Sequence, residues 1–299
     1  MRHKCVAVVM GGLSNEREVS LRSGAAIAAA LRETGRDVRE VVMDDPRKLR
    51  LDPDVQAVFL ALHGGDGENG VAQATLDAVN MPYTGSGAEA SRLAMDKIAS
   101  KKIFGRHNIP TAAWEVICGN AAHMARLGFP LVVKPPREGS SVGVARVDGP
   151  GDLADAVRAA QRLDERGEAL LEAYVPGREW AVGVLGRQTL PPVEIIAPGG
   201  WYDYNAKYDS SKGTRYVFPG DAALIARCQK IALDVFDALG CRGLGRVDFR
   251  VTDAGEPFVL EMNTLPGFTA TSLFPKAAAR AGIPFPGLCA QIVELAACG

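Results

Sequence analysis

The stretch Gly245-Arg246-Val247-Asp248-Phe249-Arg250-Val251-Thr252-Asp253-Ala254-Gly255-Glu256-Pro257-Phe258-Val259-Leu260-Glu261-Met262-Asn263 reads as two strands joined by a turn. Gly255 supplies the turn signal, and apolar and polar residues alternate on both sides of it. If Ala254-Gly255 forms the turn, Asp248 falls opposite Glu261 and Arg246 opposite Asn263. Period-two alternation then puts these four side chains on one face. Val247, Phe249, Val251, Phe258, Leu260 and Met262 take the other face, which is core. Two carboxylates directly across a ladder repel each other. A divalent cation relieves that repulsion, and Asp, Glu and Asn oxygens with room for water and phosphate suit Mg²⁺. Alternation alone favours a half-buried hairpin whose polar face is simply wet. The carboxylate pair beside Arg246 favours a metal.

Upstream of the hairpin, strand and helix patterns alternate through the first ninety or so residues. Val6–Met10 ends in Gly11-Gly12, and a helical pattern follows with Asn15 and Glu18 spaced as a capping box. Val19, Ile27, Ala30 and Leu31 are its candidate inward positions. Val38–Met43 and Val55–Leu62 are further strands, and Gly70–Val79 a further helix. This alternation implies a parallel sheet covered by helices, with functional loops beyond the carboxyl ends of its strands. Gly11-Gly12 and the run His63 to Gly70 occupy that place.

After a helix over Ser91–His107 the pattern changes to α+β. Strands at Leu131–Lys134 and Val142–Val147 flank a loop, and a helix near Asp152–Leu163 precedes a strand at Ala169–Ala173. Tyr174-Val175-Pro176-Gly177 reads as a hinge before a strand at Glu179–Leu185. A strand at Val193–Ala197, a polar loop at Tyr202–Tyr216 and a helix at Asp221–Leu239 lead into the hairpin. A helix at Pro286–Ala296 closes the chain.

The 299 residues are 47% apolar and 23% charged with net charge −1, an ordinary globular composition that accommodates two domains or three small ones. Near-neutral charge with dispersed Lys and Arg gives no footprint for nucleic acid or an anionic membrane surface. No run approaches a membrane span. The six cysteines are scattered without a C-x-x-C pair, and the opening residues carry no secretory pattern. The expectation is reduced thiols in a cytoplasmic protein.

Between two strands lies Lys134-Pro135-Pro136-Arg137-Glu138-Gly139-Ser140-Ser141-Val142-Gly143. Glycines admit a phosphate to the backbone, serines donate to it, and a lysine at the strand end adds charge. It is neither a Walker A loop nor G-x-G-x-x-G. Taken singly, this loop, Lys97, His63 and Glu16 each have an ordinary structural explanation.

In order along the chain, however, these segments resemble the D-alanine–D-alanine ligase family of the ATP-grasp superfamily. The match runs through Gly11-Gly12, Glu16-Arg17-Glu18-Val19-Ser20, Leu62-His63-Gly64 and Tyr83-Thr84-Gly85-Ser86-Gly87. It continues through Met95-Asp96-Lys97, Val133-Lys134-Pro135 and Arg137 to Gly143. Tyr202-Asp203-Tyr204, Ala206-Lys207-Tyr208, Gly245-Arg246-Val247-Asp248 and Glu261 to Gly267 complete it.

The resemblance implies an N-terminal Rossmann-like parallel-sheet domain (1–92), followed by a two-subdomain ATP-grasp fold (93–177 and 178–299). It implies ATP- and Mg²⁺-dependent joining of two D-alanine molecules through an acyl phosphate, for peptidoglycan precursor synthesis. By resemblance, Lys97 and Lys134 contact ATP phosphates, Glu172, Tyr174 and Val175 the adenine, and Glu179 the ribose. Asp248, Glu261 and Asn263 hold two Mg²⁺ ions, with Mn²⁺ as a substitute. Glu16 anchors the first D-alanine near His63 and Ser140, and Arg246 with the Gly267 amide stabilises the oxyanion. Lys207, Ser272 and Leu273 take the second D-alanine. Tyr208 stands where the family distinguishes dipeptide ligases (Tyr) from depsipeptide ligases (Phe). Tyr202–Tyr216 is the candidate lid, and a homodimer is expected. Other readings are an ATP-grasp ligase for D-serine, D-lactate or an L-amino acid, and a catalytically silent ATP-binding module. A Rossmann oxidoreductase is a third, against which the missing G-x-G-x-x-G counts.

Overall fold

Cys5–Gly11 (β1) is apolar and buried along its whole length, as the middle strand of a parallel sheet must be. It pairs in parallel with Asp37–Met43 (β2) on one side and Ala57–Leu60 (β3) on the other. The structure, a computed structural model, describes residues 3–119, 126–198, 213–269 and 272–298. The crossover from β1 to β2 is the helix Arg17–Glu33 (α1), whose Ile27, Ala28, Ala30 and Leu31 join Val6, Val8 and Met10 in one core. Val19 is only half-buried and faces a cavity instead.

The expected capping box is not formed. Helix α1 starts at Arg17, and its N-cap Glu16 makes no side-chain cap bond. Ser14 does the local work: its hydroxyl donates to His63 O at 2.5 Å and accepts from Glu16 N at 3.2 Å. The turn is thereby tied to the loop after β3.

Val71–Asp77 (α2) precedes Ala88–Met95 (α3) and Lys97–Arg106 (α4). The single helix expected over Ser91–His107 is thus two. Asp96 leaves the helical region at φ −80° and ψ 97°, and its carboxylate accepts from the Ile98 and Ala99 amides at 3.0 and 3.1 Å. A short Asp side chain offers the backbone an alternative to continuing the helix. Lys97 becomes the first residue of the new one.

The second sheet is antiparallel: Trp114–Cys118 (β4), Leu131–Lys134 (β5), Ala145–Val147 (β6) and Glu168–Ala173 (β7), in the order β4-β7-β5-β6. Pro150–Leu163 (α5) covers it, packing Leu153, Val157 and Ala160 on Leu131, Val133, Val147, Ala169 and Leu171. The third sheet holds Arg178–Leu185 (β8), Gln188–Thr189 (β9), Val193–Ile196 (β10), Arg215–Val217 (β11), Leu244–Val251 (β12) and Pro257–Asn263 (β13). Its order is β11-β10-β8-β12-β13, with β9 beside β8. Ala222–Ala238 (α6) is capped by Asp221, which accepts from Leu224 N at 3.0 Å. Leu273–Arg280 (α7) and Phe285–Glu294 (α8) close the described chain, and their apolar residues share a core with β1 and α1. The first and third sheets are therefore built on common packing, a contact between segments far apart in sequence.

The hairpin differs from expectation at its turn. Thr252 N donates to Glu256 O at 3.0 Å and Gly255 N to Thr252 O at 2.9 Å, so Asp253, Ala254 and Gly255 form the loop, with Gly255 at φ 77°. Phe249 then pairs with Val259, and the register shifts between Asp248 and Phe249. The shift is a bulge that restores the expected pairing beyond it: Asp248 opposite Glu261, Arg246 opposite Asn263. Near the turn the faces are exchanged, so Val259 is fully buried while Phe258 and Leu260, expected in the core, are not. Among the described residues, no helix is long and apolar enough to cross a membrane.

Candidate active site

Two cavities meet at the polar face of the hairpin. The larger, about 460 Å³, is walled by Glu16, His63, Gly139, Ser140, Arg246, Asn263, Gly267, Ser272 and Leu273. The smaller, about 120 Å³, lies between the second and third sheets and is walled by Lys134, Glu172, Tyr174, Val175, Glu179, Arg250 and Leu260. Lys97, Asp248 and Glu261 line both.

At the junction each carboxylate of the cross-strand pair has a cationic neighbour. Arg246 grips Asp248 with two hydrogen bonds, Nε to Oδ1 and Nη2 to Oδ2, each 2.7 Å. Lys97 Nζ lies 3.2 Å from Glu261 Oε2 and donates to Glu138 O at 2.7 Å. The repulsion inferred from sequence is thus relieved by side chains of the protein itself, a bidentate guanidinium being the strongest such partner. Asn263 Oδ1 accepts from Leu265 N at 2.9 Å and keeps a second lone pair. Two carboxylates and an amide oxygen on one face of the hairpin form a hard-oxygen donor set, and this chemistry fits Mg²⁺.

In the smaller cavity Glu172 is held from both sides. Lys101 Nζ is 2.5 Å from Oε1, and Lys134 Nζ is 2.5 Å from Oε2. Burial pushes this carboxyl up, but Lys134 and Lys101 outweigh it and hold its pKa down at about 2. Burial, opposed by Glu172, pushes the Lys101 ammonium down. Tyr174 carries the Arg146 guanidinium over its ring at 4.3 Å and Arg250 at 5.7 Å. Arg250 also donates to Val175 O at 3.1 Å and lies 3.6 Å from Glu179 Oε2.

The loop after β5 is pinned by Arg137. Its guanidinium reaches Asp96 at 3.0 Å, Asp164 at 2.8 Å and Glu168 at 2.6 Å. Ser140 and Ser141 in this loop adopt left-handed backbone, φ 52° and 58°, which costs a non-glycine residue about 1–2 kcal/mol. Burial raises the Glu138 carboxyl against the pull of Lys97. In the larger cavity His63 Nε2 lies 3.2 Å from Ser23 Oγ, and Nδ1 lies 3.8 Å from Glu68. The Ser272 hydroxyl accepts from Thr269 N at 2.9 Å. A Cβ at Gly64 would crowd the Glu16 carboxylate at 2.9 Å, so this glycine leaves it room.

A family model described as the D-ala D-ala ligase C-terminus matches residues 103–294. The D-alanine–D-alanine ligase of Bordetella avium is 43% identical across 98% of this chain and 95% of its own length.

The chain belongs to the D-alanine–D-alanine ligase family.

It is accordingly a ligase with the ATP-grasp fold, a parallel-sheet domain followed by two antiparallel sheets. The D-alanine–D-alanine ligase of an Anaeromyxobacter species is 46% identical across 98% of this chain and 97% of its own. Among solved structures, the Bacillus anthracis D-alanine–D-alanine ligase complexed with ATP superposes with a TM-score of 0.86 at 32% identity, covering 98% of this chain and 97% of that one. The VanG D-Ala:D-Ser ligase from Enterococcus faecalis superposes at 0.87 with 28% identity, covering 98% and 99%.

For this member of the D-alanine–D-alanine ligase family, most site residues expected from sequence divide between the cavities, while Lys97, Asp248 and Glu261 line both. Glu16, His63, Ser140, Gly267, Ser272 and Leu273 line the larger one. Lys134, Glu172, Tyr174, Val175 and Glu179 line the smaller. Lys207 and Tyr208 lie outside the described residues, as does the candidate lid up to residue 212. Of its remainder, Arg215–Val217 is strand β11. Sequence reading missed Lys101 and Arg250, and it quoted Arg137 in the matched loop without a role. Lys101 stands one helical turn after Lys97, and Arg250 continues the alternation of Arg246 and Asp248, so both carried a signal. The role of Arg137 carried none, because its partners come from two distant segments, Asp96 and the turn from Asp164 to Glu168.

Proposed function

We propose that this ligase joins two D-alanine molecules, using ATP and forming ADP and phosphate, to supply D-alanyl-D-alanine for peptidoglycan precursors. The observation that carries the reading is the meeting of two cavities at Lys97, Asp248 and Glu261. A nucleotide seated in the smaller cavity then points its phosphates at amino acids in the larger one. Three units divide the work: 1–92, 93–177 and 178–299.

In this reading Lys134 and Lys97 take the phosphates. Glu172, Tyr174 and Val175 face the adenine, and Glu179 the ribose. Glu16 holds the ammonium of the first D-alanine, with His63 and Ser140 beside it. Its carboxylate attacks the γ-phosphate to give an acyl phosphate, a step that needs positioning and charge neutralisation rather than covalent help. The amine of the second D-alanine, held through Ser272 and Leu273 with Lys207, attacks that carbonyl. Arg246 and the Gly267 amide donate to the oxyanion. Asp248, Glu261 and Asn263 are the residues to hold two Mg²⁺ ions, or Mn²⁺ in their place. When bound, the ions neutralise phosphate charge as it develops. The water-sensitive acyl phosphate calls for a cover, and 202–216, with Tyr208, is the proposed lid. The enzyme is proposed to act as a cytoplasmic homodimer with no nucleic-acid or membrane partner.

The test is phosphate release from ATP and Mg²⁺ by the purified chain, with D-alanine, L-alanine, D-serine paired with D-alanine, or no amino acid. Mass spectrometry identifies the product. Release that requires D-alanine and yields a dialanine mass is the expected result. Release with another amino acid alone overturns the substrate, and ATP binding without release under any condition overturns the activity.

A further inference from the structure

Lys101 is a buried cation that the reaction above leaves without a task. Its side chain is 1% exposed, and it lines neither cavity. Its Nζ donates to Thr111 Oγ1 at 2.6 Å, and Thr111 Oγ1 donates onward to Val259 O at 2.8 Å on β13. Lys101 is thus anchored to the hairpin on one side and to Glu172 on the other. Lys134 differs in one respect that matters: it shares Glu172 but also lines the smaller cavity. A ligand there can draw Lys134 away from Glu172 and cannot reach Lys101.

We propose that Lys101 is a positioning residue for base recognition, remaining on Glu172 Oε1 as its standing counter-ion when Lys134 turns to the nucleotide. Glu172 then presents Oε2 to the cavity as an ionised acceptor. The inference rests on the reading of Lys134 and Glu172 as nucleotide contacts. Its physical basis is the cost of a lone buried charge: a carboxylate that lost both lysines would take up a proton. A protonated Glu172 is a weaker acceptor for the exocyclic amine of adenine and can donate instead. Guanine presents a carbonyl oxygen at the equivalent ring position, which an ionised carboxylate repels. Lys101 therefore sets the preference for an adenine nucleotide by keeping Glu172 charged.

The experiment measures KM and kcat for ATP and for GTP, by D-alanine-dependent phosphate release, in the wild-type chain and in Lys101→Gln. Glutamine is polar but shorter and uncharged, so it removes the counter-ion from Glu172. Absence of D-alanine-dependent release by the wild type overturns the functional reading before any variant is made. With wild-type turnover in hand, Lys101→Gln is expected to raise KM for ATP by about tenfold, the worth of one charged hydrogen bond. It is also expected to narrow the ATP-over-GTP preference, with kcat nearly unchanged. An unchanged KM and preference, or a fall in kcat alone, overturns the proposal. Should Lys101→Gln fail to fold, Glu172→Gln is compared with the double variant carrying Lys101→Gln as well. Equal KM values and equal preference in those two support action through Glu172. A further loss in the double variant overturns it.

Discussion

Asp96 and Arg137 share a hydrogen bond of 3.0 Å, while the other oxygen of Asp96 caps the helix that opens with Lys97. One carboxylate thus joins the start of α4 to the phosphate-loop candidate after β5. Lys97 N also donates to Pro136 O at 3.0 Å, and Lys97 Nζ to Glu138 O at 2.7 Å. The position of a lysine at the junction of both cavities is set by this knot.

Asp96→Ala removes the cap and one partner of Arg137 together. The lost cap costs about 1–2 kcal/mol of stability. KM for ATP is expected to rise several-fold, because Lys97 no longer starts a fixed helix. Asp96→Asn keeps a capping oxygen and should lose less of both, as urea unfolding and steady-state kinetics will show.

Arg137→Met strands three carboxylates, of which Asp164 has a fully buried side chain. Burial lowers the Arg137 pKa, but Glu168, Asp96 and Asp164 outweigh it and raise the value overall. Breaking a buried pair from one side costs roughly 3–5 kcal/mol. Urea unfolding is the check, and a loss under about 1 kcal/mol, the scale of a surface pair, would contradict the role assigned to this knot.

Acid stability should depend on Glu172. Its folded pKa is depressed from 4.5 to about 2, so its contribution is fully present above 4.5 and is lost as pH falls through about 2. In the wild type, stability should fall across that window, and Glu172→Gln should flatten the fall. Unfolding curves taken at successive acid pH values test this, and parallel slopes for both proteins would contradict it.

Asp248→Asn and Glu261→Gln should each abolish turnover while the chain remains folded by circular dichroism. Chelation of divalent cations should stop phosphate release, and Mg²⁺ should restore it. Turnover that persists in chelator would remove the metal role proposed for the hairpin.

Gly177→Ala should destabilise the junction between the second and third sheets. Gly177 has φ 128°, and a Cβ there would collide with the Val251 carbonyl. A backbone held in such a region costs a non-glycine residue of order 1–3 kcal/mol, before the clash is counted. Thermal unfolding and ATP binding are expected to fall together.

Much of this protein was legible in local pattern. Buried parallel strands announce themselves as apolar runs ending in glycine, and Val6–Met10 did so. The pairing of Asp248 with Glu261 followed from alternation and a turn signal, although the turn itself was misplaced. It survived because a bulge offsets the longer loop, and no residue type in the strand advertises that bulge. The break at Asp96 was missed because a capping Asp inside a long helical pattern reads as one more polar residue.

The sequence by itself determined the order of most strands and helices, though not Trp114–Cys118, Arg215–Val217 or Leu273–Arg280. It also determined the hairpin face that carries Arg246, Asp248, Glu261 and Asn263, and the family resemblance that supplied the candidate site residues. Such features depend on neighbours a few positions apart, where periodicity and turn chemistry act. Tertiary structure alone decided which charges meet. Lys101 with Glu172, Lys97 with Glu261, and Arg137 with Asp96, Asp164 and Glu168 are pairs made across sheets and loops. Their distances are set by the packing of whole elements, and the strength of a charge pair depends on distance and burial that no local pattern encodes.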